Sequence, residues 1–237
     1  MRRSDRRRAG SRPDWRQVHD TLLAAFGAQA WWPGDSPFEV MVGAVLTQNT
    51  AWSNVERAIA NLKAAQVLSG RAILALETAV LAALIRPAGY FNVKARRLQA
   101  LCAFLRDEGV LDAPGHLAAS APLPALRAKL LAVHGVGEET ADSILLYALN
   151  LPSFVVDAYT RRLFARLGLL GGREPYGEIQ ARFQAHLPAD VALYNEYHAL
   201  IVRAGKDICR PRPHCGCCPL AGICPYAAVR GYERRPT

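Results

Sequence analysis

Two groups of residues in this chain have the types and spacing to do chemistry. The first is a run of thiols: Cys209, Cys215, Cys218 and Cys224 are spaced C-x5-C-x2-C-x5-C, with Cys217 as a surplus thiol among them and Cys102 standing apart. Five thiols within sixteen residues, in a sequence that shows no charged-apolar-small export leader, suit metal ligation better than disulfides. Four thiolates complete either a tetrahedral zinc site or an iron-sulfur cluster, and the C-x2-C pair serves both. The second is Asp157, in Phe154-Val-Val-Asp-Ala-Tyr-Thr-Arg-Arg-Leu163, where an acid follows three apolar residues and precedes a basic, polar turn. A carboxylate there can cap a helix beginning at Ala158 and still be available for catalysis.

The elements that must position these groups read as helices. Apolar residues recur at Trp15, Val18, Leu22, Leu23 and Phe26, which predicts a helix over 15–26. A turn-rich stretch over 31–37 follows. Helical texture resumes at Phe38 and continues over 55–62, 73–85, 94–105 and 124–133, with Pro or Gly in several of the loops. Strand-like alternation is nearly absent, so the fold class is all-α, built of short helices. With 51% hydrophobic and 21% charged residues in 237, the composition is that of a globular chain with a core. The longest apolar stretch, Ala79 to Ile85, is far below the roughly 20 residues of a membrane span. The expectation is a cytoplasmic protein, nucleoid-associated if bacterial, with no membrane partner.

The net charge of +9 suggests a polyanionic partner, and the charge is concentrated at the two ends. Residues 1–13 carry +5 and residues 203–237 another +5, leaving 14–202 at −1. The first segment reads as a disordered basic arm, which either touches phosphates or merely solubilises the chain.

Between these ends, Leu130 to Leu149 contains two helical segments separated by Gly135-Val136-Gly137. Two glycines allow a tight turn and close approach to a partner. The N–H groups opening the second segment would suit a phosphate, while Ala141, Ile144, Leu145 and Ala148 give it an apolar face. Such a hairpin offers sequence-independent grip on a nucleic-acid backbone, although a purely structural αα-hairpin has the same pattern.

This hairpin, followed by a loop and Asp157, resembles the endonuclease III superfamily of helix-hairpin-helix DNA glycosylases. FEVMVGAVLTQNT at 38–50 and PAGYFNVKA at 87–95 are also similar to that family, and the resemblance covers roughly 15–226. It implies that Asp157 is the catalytic aspartate and that Gly135, Val136, Gly137 and Thr140 meet DNA. Gln48 or Asn49 would fill the hole left by a flipped nucleotide, and Tyr90 would wedge into the stack. Flipping is chemically necessary because a base inside the duplex is out of a carboxylate's reach. The cysteine loop looks like the family's [4Fe-4S] loop, with Cys209, Cys215, Cys218 and Cys224 as ligands. Arg210, Arg212 and His214 within that loop would face phosphates. The family's usual first gap is six residues, whereas this chain has five.

The resemblance also bears on mechanism. Bifunctional members place a lysine two residues after the second hairpin glycine, and its amine forms a Schiff base. Here that position is Glu139, which cannot form an imine, and Lys94 and Lys129 do not match the motif. A monofunctional glycosylase follows, in which water attacks the sugar while Asp157 stabilises an oxocarbenium-like transition state. Trp31, Trp32 and Pro33, together with Trp52, resemble the base pocket of the 3-methyladenine glycosylase branch. Indole faces attract a cationic alkylpurine, although paired tryptophans also serve as ordinary core.

The reading is therefore a two-lobed helix-hairpin-helix glycosylase acting on double-stranded DNA with a flipped damaged base, and monomeric. A six-helix barrel would span 35–150, with the hairpin at about 124–149. A discontinuous iron-sulfur domain would combine 14–34 with 151–237, its cluster loop at 209–224. Two alternatives remain open: an endonuclease III-type enzyme for oxidised or mismatched pyrimidines, and a non-catalytic protein that binds damaged DNA.

Overall fold

The computed structural model describes residues 13–29, 31 and 34–230. Among these the regular structure is helical throughout, with no strand. No helix among the described residues is long and apolar enough to cross a membrane. The chain divides into two compact units, one comprising Trp31–Val155 and the other joining Met1–Ala30 to Val156–Thr237. Residues 1–12 of the expected basic arm at 1–13, and Trp32 and Pro33 of the expected base pocket, lie outside the described residues.

The Trp31–Val155 unit is organised on α2 (Pro37–Leu46). Its sequence PFEVMVGAVL is apolar nearly all round, which requires burial on every side. Every residue from Phe38 to Leu46 is indeed buried. Ser36 starts the helix by accepting the Glu39 N–H at 3.2 Å, with Pro37 in the first turn where its missing N–H costs nothing. Around α2 pack α3 (Trp52–Ala64), α6 (Phe91–Asp107), and α8 (Glu138–Ser143) with its continuation. The sequence predicts one helix over 73–85, but the structure has two, α4 (Gly70–Ala75) and α5 (Thr78–Leu84). The break at Leu76 is held from α6, where Gln99 Nε2 donates to the Leu76 carbonyl at 2.9 Å and its Oε1 accepts the Thr78 hydroxyl at 2.9 Å. A side chain distant in sequence thus replaces the intrahelical bonds that periodicity would suggest.

The hairpin consists of α7 (Leu123–Ala132) and α8, and the second helix widens into a π-helical turn over Ile144–Ala148. All five residues of that turn are buried. Arg127 on α7 and Asp142 on α8 fasten the two helices together.

In the other unit, α1 (Trp15–Phe26) packs with α9 (Ala158–Arg166), α10 (Tyr176–His186) and α11 (Val191–Asp207). Trp15 is the centre of its core. Its indole stacks on Phe164 at 5.1 Å, meets Phe183 edge-on at 4.7 Å, and its carbonyl accepts the Tyr197 hydroxyl at 2.6 Å. Helices α9 and α11 approach closely at Gly205, where a Cβ would lie 2.6 Å from the Tyr159 ring. Short α12 (Pro225–Val229) follows the cysteine loop.

Candidate active site and cysteine loop

Asp157 is the N-cap of α9. Its backbone is extended and its Oδ1 accepts both the backbone N–H of Thr160 at 2.7 Å and the Thr160 hydroxyl at 2.8 Å. Capping therefore consumes one carboxylate oxygen. The other, Oδ2, lies 3.7 Å from Nε2 of His198 on α11. Asp157 is only 9% exposed. One residue earlier, the Val156 N–H donates to the Tyr176 hydroxyl at 3.2 Å, fixing the chain as it enters the helix. His198 is buried, and burial lowers its basicity against the opposing pull of Asp157.

The hairpin turn depends on Gly135, whose φ of +83° is in the left-handed region and whose missing Cβ leaves room for the Arg97 side chain. Val136 is buried while Gly137, the N-cap of α8, is exposed with Glu138 and Glu139. Gln48 ties the turn together: its Nε2 donates to the Gly135 carbonyl at 3.1 Å and to Thr140 Oγ1 at 2.9 Å, and its Oε1 accepts from Arg97. Gln48 is half-buried, with its amide engaged at the hairpin. Asn49 is exposed.

Asn49 and Tyr90 share a second property. Both are non-glycine residues with positive φ, +54° and +46°, and Tyr90 is 72% exposed. Residues rarely hold that conformation unless their surroundings impose it. Lys94 ties the segments that precede these two residues: its Nζ donates to the carbonyls of Leu46 and Ala88, each at 2.8 Å. Leu46 ends the helix before Asn49 and Ala88 ends the short turn before Tyr90. The amine is buried, and desolvation, with Arg97 nearby, brings it down to about 8. The expected pocket residue Trp52 opens α3, half-exposed, with its indole N–H donating to Glu56 at 3.0 Å; Trp31 is likewise half-buried.

The thiols of Cys209, Cys215, Cys218 and Cys224 line one small cavity walled by Leu163, Leu167, Ile208 and Leu220. Burial, reinforced by the neighbouring thiols, pushes Cys218 up to about 11 and raises Cys224 as well. Cys217 is exposed and bonds instead to the His214 carbonyl at 3.3 Å. Arg166 closes the cavity: its Nη1 reaches Cys209 Sγ at 3.1 Å and the Arg210 carbonyl at 2.7 Å, and Nη2 reaches Pro211 at 3.0 Å. Arg162, one turn earlier, donates to the carbonyls of Cys209 at 2.7 Å and Gly205 at 2.9 Å. Sequence reasoning missed Arg97, Arg162, Arg166 and His198. The i, i+4 spacing of the two α9 arginines after Asp157 was the available signal for that pair.

The sequence profile of the family described as the HhH-GPD superfamily base excision DNA repair proteins matches residues 42–189, more than half of the chain. A Methanocaldococcus jannaschii protein, named provisionally as a DNA repair glycosylase, is 47% identical over 208 residues, covering 88% of this chain and 94% of that protein. Among solved structures, a non-covalent endonuclease III–DNA complex superposes with a TM-score of 0.78 at 24% identity, covering 92% of this chain and 97% of that one. Helicobacter pylori 3-methyladenine DNA glycosylase bound to 1,N6-ethenoadenine gives a TM-score of 0.71 at 30% identity, covering 82% and 98%. The fold is thus that of the endonuclease III-type structures, and the chain belongs to the HhH-GPD superfamily of base excision DNA repair proteins.

Proposed function

We propose that this chain is a monofunctional DNA glycosylase that removes alkylated purines such as 3-methyladenine, with Asp157 as its catalytic carboxylate. The observation that carries the reading is the environment of Asp157: one oxygen is engaged by Thr160 and the other is not used in capping. An oriented carboxylate of this kind stabilises positive charge developing on a sugar. The C1′–N bond breaks with its electron pair leaving on the base, so a cationic alkylpurine departs neutral. Water then adds to C1′ and gives its proton to Asp157 or to solvent. Glu139 at the hairpin has no amine, which supports hydrolysis without strand cleavage. The likeness to the H. pylori 3-methyladenine DNA glycosylase supports the substrate class. Trp31, Trp32, Pro33 and Trp52 are the proposed base pocket. Asn49, Tyr90 and the turn of Gly135, Val136, Gly137 and Thr140 are the proposed DNA contacts, with Gln48 acting by holding that turn.

The four cavity thiols are proposed to hold a [4Fe-4S] cluster. All four thiols line the same cavity, so one metal centre could be shared by them, and the likeness of their C-x5-C-x2-C-x5-C spacing to the family's iron-sulfur loop supports a cluster over a four-cysteine zinc site. The cluster would cross-link the loop following α11, and it supplies no step of the reaction.

The test incubates purified protein with duplex DNA containing 3-methyladenine, and separately thymine glycol, scoring free base and strand breaks before alkali. The expected result is release of 3-methyladenine without breaks, abolished in Asp157→Asn. Release of thymine glycol alone would establish the oxidised-pyrimidine reading instead. Tight binding with no release from either duplex would point to a binding protein.

A further inference from the structure

We propose that His198 is a positioning residue for Asp157, its Nε2–H directed at Oδ2 so that both carboxylate oxygens are held. The inference rests on the reading of Asp157 as the catalytic carboxylate. Thr160 fixes Oδ1 with two donors from the same helix. Those bonds restrain one oxygen but leave the carboxylate able to pivot about it. His198 approaches the other oxygen from a different helix, α11, at 3.7 Å. That exceeds the usual 2.7–3.2 Å of an N–H···O bond, as contacts in substrate-free active sites often do before tightening.

The imidazole's surroundings define its state. His198 is 5% exposed, and burial disfavours its charged form. A neutral imidazole carries one N–H, and beside a carboxylate the favourable choice is a proton on the nearer nitrogen; an Nε2 lone pair there would be repelled. A neutral donor also serves the chemistry better than an imidazolium. It orients the carboxylate without neutralising the charge that must face the sugar cation. Asp157 is a charged group that acts on His198. Tyr194 and Tyr197 flank it on α11, and the Tyr176 hydroxyl of α10 bonds at Val156 beside Asp157. Arg161 and Arg162 of α9 are turned to the carbonyls of Glu174, Gly205 and Cys209.

The separation of the two side chains is set elsewhere on the same helices. Gly205 lets Tyr159 come against α11, and Arg162 bonds the carbonyls at the end of α11. His198 therefore meets Asp157 through two helices that are pinned again about two turns further along α11.

Two measurements test the proposal on the full-length protein. In ¹⁵N-histidine-labelled protein, two-bond ¹H–¹⁵N correlations at neutral pH should show His198 as the Nε2–H tautomer, with that resonance displaced in Asp157→Asn. An Nδ1–H tautomer, or an Nε2 signal indifferent to Asp157→Asn, overturns the proposal without reference to any substrate. In single-turnover base release, His198→Ala should lose about tenfold in rate and move the acid limb of the pH–rate profile up by about one pH unit. His198→Asn keeps an N–H donor and should recover most of the rate and the acid limb. A His198→Ala protein with the wild-type rate and acid limb also overturns it. Full activity in Asp157→Asn would instead remove the underlying reading of Asp157, while the tautomer measurement would still report on the contact.

Discussion

Arg127 and Asp142 meet side-on within the helix-hairpin-helix, Nε at 2.8 Å from Oδ1 and Nη2 at 2.9 Å from Oδ2. Asp142 is wholly buried, and the Ser153 hydroxyl donates to its Oδ1 at 2.6 Å. One carboxylate thus joins both hairpin helices to the segment that leads to Asp157. Removing Arg127 strands a buried charge, so Arg127→Ala should cost about 3 kcal/mol in denaturant unfolding. The double variant Arg127→Met, Asp142→Leu should recover much of that loss, because the charge left behind is gone.

Lys94 gives a pH signature. Its amine is held down to about 8 in the fold, whereas in the unfolded chain it titrates near 10.5. Between those values the unfolded state binds the extra proton, so stability rises with pH across that window. Thermal unfolding from pH 8 to 10 should show this gain in the wild type relative to Lys94→Met. Lys94→Met should also weaken binding to abasic-site DNA if Asn49 and Tyr90 meet DNA, since both neighbouring carbonyls lose their donor.

Arg166 should govern retention of the proposed cluster. It donates to Cys209 Sγ and to the carbonyls of Cys209, Arg210 and Pro211, and partners of metal ligands typically change affinity by about tenfold or more. Iron content and visible absorbance in Arg166→Ala should fall, with roughly tenfold faster bleaching by a chelator. Arg166→Lys should fall between, keeping charge without the fork that reaches several acceptors. Unchanged retention in Arg166→Ala would show that the cysteines hold the loop unaided.

Glu139→Lys places an amine where lyases of this family carry one. The wild type should give no borohydride-trapped adduct with abasic DNA, and Glu139→Lys should give one if the hairpin faces C1′. An adduct in the wild type would reveal another amine and refute the monofunctional reading.

Gly135→Ala should destabilise the hairpin by about 1–2 kcal/mol, from the positive φ and from displacement of Arg97, as read in thermal unfolding. Loss of abasic-DNA binding in a variant that remains folded would attach that turn to DNA.

The helical class, the family and the elements whose reasons are local were legible in the sequence. The helix over 15–26 was legible because its apolar period is strong, and Asp157 was legible as a cap because a cap is a one-residue signal. The thiol spacing was equally plain, and the cavity separates Cys217 from the other four. Tertiary structure decided what depends on partners far apart in the chain. Gln99 splits a segment that periodicity reads as one helix, and Gln48 bonds the Gly135 turn from 87 residues away. Lys94 supports two distant loops, and His198 approaches Asp157 from 41 residues away. Hydrogen bonds of this kind satisfy buried polar groups wherever the fold brings a donor, and no local pattern encodes which donor that is.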